Sequence, residues 1–134
     1  MKPIKILFLL VLVLHLGSSF SGCKKDQPIT PTDLLIAHAW KPISDNYNGL
    51  ETLSDCDKDD AFTFKTDGTV ERNYGADQCA PPEATESFPW SFSSDEKTLT
   101  VDDVPFTVTV LTENSLVLTV TDGLTIDVVT WASY

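Results

Sequence analysis

Few residues in this 134-residue chain could do chemistry: Cys23, Cys56 and Cys79, the histidines His15 and His38, and the acidic run Asp55-Cys56-Asp57-Lys58-Asp59-Asp60. Thiols tend to pair in an oxidising compartment, and three cannot all pair within one chain. Setting Cys23 aside leaves Cys56 and Cys79, on either side of a stretch that reads as a hairpin. A cross-link there would be worth roughly 3 kcal/mol by chain entropy. A redox or metal pair is the alternative, but there is no Cys-x-x-Cys, and His38 is the only histidine left once the first residues are removed. A structural Cys56–Cys79 disulfide is therefore expected.

The acidic run places Asp55, Asp57 and Asp59 at alternate positions, as at the opening of a Ca²⁺ loop. Such a loop needs Gly at its sixth position and Glu at its twelfth, where this chain has Asp60 and Thr66. No metal site is expected, and these three aspartates are the only candidate ligands worth naming. Catalysis has little to work with, because His38 has no visible nucleophile partner and Gly-x-Ser-x-Gly is absent. Neither an enzyme nor a cofactor is expected. Twenty Asp and Glu against nine Lys and Arg give a net charge of −11, which excludes ordinary nucleic-acid binding, since phosphates require a cationic surface.

The first 22 residues read as an address. Lys2 and Lys5 precede the apolar run Ile6 to Leu14, and the small-residue stretch Gly17-Ser18-Ser19-Phe20-Ser21-Gly22 follows. This is the layout of a secretory signal peptide, with an apolar run far short of the ~20 residues a membrane crossing requires. Phe20-Ser21-Gly22-Cys23 resembles the lipobox of bacterial lipoproteins, departing from it in Phe20, where Leu is usual. The resemblance implies cleavage before Cys23 and lipidation of its thiol, which also accounts for the odd cysteine. Two or three acyl chains, at ~0.8 kcal/mol per buried CH₂, would hold the protein on a membrane permanently.

Cleavage would leave 112 of the 134 residues, and loss of Lys2 and Lys5 would take the charge from −11 to −13. Residues 23–31 then read as the lipidated cysteine and a Pro-containing tether spanning roughly 28 Å. The expected location is the cell envelope, on the outer membrane, with the face left open by the short run Lys24-Lys25-Asp26.

The remaining domain, residues 32–134, must position whatever chemistry there is. Thr32-Asp33 offers a helix cap before Leu34 to Trp40, and Pro42 ends any such helix. From there a period of two dominates. Phe62 and Phe64 share one face, as do Phe88, Trp90 and Phe92. Phe106, Val108 and Val110 form another such set, and Leu116, Leu118 and Val120 a fourth. Asp67-Gly68 and Asp122-Gly123 mark hairpin turns. About eight short strands with tight connections argue a sandwich or an antiparallel barrel, and a meander favours the barrel because closure removes both edges. Pro89 suggests a strand edge or the start of a pairing.

Leu34-Leu35 to Trp40-Lys41, Cys56 to Asp60 with Phe62-Thr63-Phe64, Thr66-Asp67-Gly68-Thr69, Cys79, Trp90-Ser91-Phe92, Leu99-Thr100-Val101 and Leu111 to Leu118 follow one another in an order that resembles the lipocalin-like domains of Bacteroidetes lipoproteins. The resemblance implies an all-β fold: a small eight-stranded antiparallel up-and-down β-barrel, open at one end, with a short N-terminal helical turn. It implies no enzyme activity. The candidate barrel lining is Phe62, Phe64, Phe88, Trp90, Phe92 and Phe106, with Trp40 and Trp131 also in reach. The expected partners are the membrane, through Cys23, and a small apolar ligand held non-covalently. The alternative is an interaction or inhibitor lipoprotein, similar to the lysozyme inhibitors but lacking their Ser/Gly-Lys-Tyr loop, whose acidic face meets a basic protein. A component of a larger envelope complex is a third reading.

Overall fold

The computed structural model describes residues 28–134; the expected signal segment, Cys23 and the first part of the expected tether lie outside the described residues. The chain begins with helix α1 (Pro31–Ile36). Its cap is Thr30, ahead of the expected Thr32-Asp33. The Thr30 hydroxyl accepts from the Asp33 amide at 3.1 Å while the Asp33 carboxylate accepts from the Thr30 amide at 2.9 Å. With Pro31 in the first turn, where no amide hydrogen is needed, this is a complete capping box. Those hydrogen bonds from Thr30 hold Asp33 below the usual carboxylate range.

Nine strands follow: β1 (Ala39–Tyr47), β2 (Leu50–Glu51), β3 (Ala61–Phe64), β4 (Thr69–Asn73), β5 (Glu86–Phe92), β6 (Thr98–Val101), β7 (Val104–Leu111), β8 (Ser115–Asp122) and β9 (Thr125–Ser133). All pairings are antiparallel. β3 through β9 each pair with the next, β1 pairs with β3, and β1 also pairs with β9 from Trp40↔Ser133 to Tyr47↔Asp127. That last seam closes an eight-stranded barrel. β2 is a two-residue flap on the end of β1 and takes no part in closure.

Alternation points Trp40, Phe64, Val70, Leu99, Leu116 and Leu118 inward, and all are buried. Two irregularities adjust the pattern. Between Val108 and Val110 the β7–β8 register shifts, so Leu111 pairs with Leu116 and Val110 turns outward, 38% exposed. The expectation that Val110 continues the inner face of Phe106 and Val108 is therefore corrected: an extra residue inverts the parity. A second shift between Pro42 and Ser44 turns Ile43 outward and aims Asp45 inward. Pro89 lies within β5, but as expected at the limit of a pairing: it forms the terminal pair with Thr69 of β4 and stands just outside the pairing with β6. The neighbouring β6 ends at Val101, opposite Trp90, so the amide hydrogen Pro89 lacks would face a turn and no ladder is broken.

The two ends of the barrel differ. At one end α1 lies across the opening, with Leu35 fully buried and its carbonyl accepting from the Trp40 indole at 2.9 Å. The other end carries the β6–β7 and β8–β9 turns and the long β4–β5 connection, and it stays open.

Candidate functional site

Above the plugged end lies a cavity of about 240 Å³. Every barrel strand from β3 to β9 contributes to its wall. Phe62, Phe64, Phe88, Phe106 and Trp131 supply aromatic faces, and Val70, Val101, Leu118 and Val129 fill between them. Phe62 stacks on Trp131 at 4.9 Å between ring centroids and 17° between planes, an offset arrangement aromatic pairs favour. Phe62, Phe88, Phe106 and Trp131 face inward yet are only half-buried, because the open end admits solvent to them.

Four of the six aromatics expected to line the interior, Phe62, Phe64, Phe88 and Phe106, stand on this cavity. Trp90 and Phe92 do not. The Trp90 indole donates to the carbonyls of Lys65 and Thr69 at 3.1 and 3.0 Å, which draws the ring toward the β3–β4 turn. There it meets Phe64 and Phe92 edge-on, with centroids at 5.6 and 5.9 Å. A buried indole N–H must find an acceptor, and the turn carbonyls are nearest. Trp40 likewise belongs to the floor.

Two charged residues also line the cavity, Arg72 and Asp102. Arg72 follows Val70 on the inner face of β4. Asp60, 1% exposed, accepts from its Nε and Nη2 at 2.8 and 2.6 Å, and Asp57 accepts from Nη2 at 2.9 Å. The guanidinium also lies over the rings of Phe62 and Tyr74, at 5.6 and 4.5 Å from their centroids. Burial opposes the charge on Arg72, but the hydrogen bonds and charge of Asp60 outweigh it, so the group titrates above an ordinary arginine. Asp60 also accepts from the Gly75 amide at 3.2 Å. A side chain at residue 75 has no room, because a Cβ there would stand 2.0 Å from the Asp59 carboxylate.

This network spends the acidic run residue by residue. Asp55 pairs with Lys58 at 2.6 Å, Asp57 holds Arg72, and Asp59 accepts from the Asp77 amide at 3.1 Å. Asp55, Asp57 and Asp59 are not gathered into one ligand set. Among the described residues, the only metal-ligand grouping is Cys56, Asp57 and Cys79, and both sulfurs in it are bonded to each other. That bond, with Cα atoms 5.3 Å apart, ties the β2–β3 connection to the β4–β5 connection and is the one expected from the cysteine count.

Sequence reasoning missed one further feature. Asp45 on β1 and Asp127 on β9 meet on the inner face of the closing seam, near its open end. One oxygen of each, Oδ1, is buried without a partner among the described residues. Burial, then the hydrogen bond and charge of Asp127, push Asp45 up to about 6. No local signal marks such a pair, because the two residues are brought together only by closure.

Residues 36–118 match the model of a family described as a lipocalin-like domain. Among solved structures, japanin from Rhipicephalus appendiculatus bound to cholesterol, in an orthorhombic crystal form, aligns with a TM-score of 0.48 and 11% sequence identity over 79% of each chain. No curated protein matches.

Proposed function

This chain belongs to the lipocalin-like domain family, and from that premise we propose that it is a lipid-anchored lipoprotein of the cell envelope whose barrel binds a small apolar ligand non-covalently. The observation that carries the reading is the cavity of about 240 Å³, walled by aromatic and aliphatic side chains, plugged below by α1 and open above. It is smaller than ordinary ligand cavities, which run about 300–1,000 Å³. The ligand is correspondingly small, or part of it emerges through the mouth. The protein acts by binding rather than by catalysis: of the charged residues at the cavity Arg72 is held by Asp57 and Asp60 and Asp102 lies in an exposed turn, and among the described residues the cavity lining holds no nucleophile–base pair.

Attachment through Cys23, on the outer membrane, is supported by the apolar run Ile6 to Leu14 followed by Phe20-Ser21-Gly22-Cys23. Replacing Cys23 by Ala and fractionating cells tests it, with loss from the membrane fraction expected.

The binding reading is tested on the chain from Lys24 onward, which carries the whole barrel, titrated with an environment-sensitive apolar dye. Saturable one-to-one binding is expected, weakened at least about tenfold by Val129→Phe, which narrows the cavity from one wall. If nothing saturates, the charge of −11 on the chain favours the second reading, a basic protein partner at the acidic outer surface, with the lipoprotein acting as an inhibitor or as part of an envelope complex.

A further inference from the structure

Above its bulge, β1 is held to the barrel on one side only. Its pairing with β3 is confined to Ala39↔Thr63 and Trp40↔Phe62, and from Ser44 to Tyr47 its barrel partner is β9 alone. On the other side it carries β2, through Asn46↔Glu51 and Tyr47↔Leu50, and β2 has no other strand partner. The β1–β2 hairpin is thus a flap hinged at the register shift between Pro42 and Ser44. Asp45 within it pairs directly with Val129, a residue of the cavity wall. The seam ends where the Asn48 amide donates to the Ile126 carbonyl at 2.8 Å and the Ile126 amide donates to Asn48 Oδ1 at 2.9 Å.

Flap and barrel also touch where Asp45 meets Asp127. Each keeps one buried oxygen without a partner, and no lysine or arginine among the described residues forms an ion pair with either. The surrounding groups do not relieve them. Glu51 of β2 adds a negative charge, held below the usual carboxylate range by the Ser44 hydroxyl and the Asp45 and Leu53 amides that donate to it. Thr52 of the β2–β3 connection donates its hydroxyl to the Asp45 backbone carbonyl at 3.0 Å. Opposite Asp127 stand Tyr47 of β1 and the uncharged Val120 of β8, which ends in the exposed Asp122. A proton shared between the two carboxylates joins them, and without it two negative charges face each other across the seam. We propose that the β1–β2 hairpin is a proton-operated gate on the cavity: it closes against β9 when Asp45 and Asp127 share a proton and swings away when both are charged.

Asp45 titrates at about 6 with the gate closed and at about 3.9 once released, so closure takes up a proton and weakens as pH rises, by up to about tenfold between pH 5 and 7.5. Hydrogen exchange on the chain from Lys24 onward, corrected for intrinsic rates, reads this directly. Protection of the amides of residues 44–48 and 126–129 should fall at least about threefold from pH 5 to pH 7.5, allowing for solvent screening, while β6 and β7 stay unchanged. Asp45→Asn and Asp127→Asn should each abolish that fall. The apolar dye should bind at least about threefold more weakly at pH 7.5 than at pH 5, and either variant should remove the difference. Only this effect on affinity rests on the cavity reading above. Seam protection that ignores pH overturns the gate. So does a fall that survives in both variants, or one that vanishes in His38→Gln, since His38 stands beside Trp40 at the plugged end. Dye binding that ignores pH while seam protection falls also overturns it, because the hairpin then does not control the cavity. A dye that saturates at neither pH overturns the cavity reading alone, and the exchange comparison still decides whether the hairpin opens.

Discussion

At the plugged end of the barrel the indoles of the buried Trp40 and the half-buried Trp90 donate to backbone carbonyls, and the helix that covers the opening is capped at its start by Thr30 and Asp33. At the open end the polar groups are only partly matched. Asp45 and Asp127 press two carboxylates together with an unpartnered oxygen on each, and the Trp131 indole in the cavity wall has no acceptor among the described residues. The same strands run through both ends, so the contrast comes from what closes them. A packed end can satisfy its N–H groups internally, whereas an open end leaves some of its polar groups to solvent. In this molecule packing and matched hydrogen bonds are concentrated below the cavity, and the proposed ligand site lies above them.

The largest effect should therefore come from the plugged end. Trp40→Ala removes a fully buried indole together with its hydrogen bond to Leu35, and about 4 kcal/mol should be lost in urea or thermal unfolding. The dye affinity of whatever fraction remains folded should hardly change. If affinity fell while stability held, the division between the ends would be wrong.

The next largest belongs to the staple of the open end. Cys56→Ser with Cys79→Ser frees the cross-link between the two connections that carry Asp57, Asp60 and Gly75. A loss of roughly 3 kcal/mol, or about 15 °C in Tm, is expected by calorimetry. A larger loss here than at Trp40 would move the centre of stability to the open end.

The smallest effect sharpens the contrast. Asp45 titrates near 6 in the folded protein, above its value of about 3.9 in an unfolded chain. The folded state therefore holds the extra proton between about pH 4 and 6. Stability should fall as pH rises through that window and stay lower above it. Asp45→Asn should flatten this slope and add about 1 kcal/mol at pH 7, after allowing for solvent screening of a partly exposed group. Chemical denaturation at pH 4.5 and 7 checks both the sign and the size.

Much of the barrel was legible in the residues themselves. Strand parity put Phe62, Phe64, Phe88 and Phe106 on inner faces, and the Asp-Gly pairs at 67–68 and 122–123 marked two of the turns. Parity failed where a strand carries one residue too many, as at Val110, because a bulge is set by the partner strand's register and not by composition. It also failed to separate wall from floor. Trp90 has the same inward parity as Phe88, and only the turn carbonyls within reach of its indole decide that it packs away from the cavity.

The charged part of the site was hidden more deeply. Arg72 two residues after Val70 was a visible clue, being a cation on an otherwise apolar face. Its fork on Asp60 spans twelve positions and its contact with Asp57 fifteen, so neither can be read from local spacing. Asp102 reads as a turn residue, and nothing near it in the chain says that the turn borders the cavity. By itself the sequence determined the alternation, the turns, the acidic charge and the even pair of thiols, because these follow from residue type at short separation. Closure alone decided the β1–β9 seam, the meeting of Asp45 with Asp127 and the size of the space within, because each depends on how strands far apart in the chain tilt and register against one another.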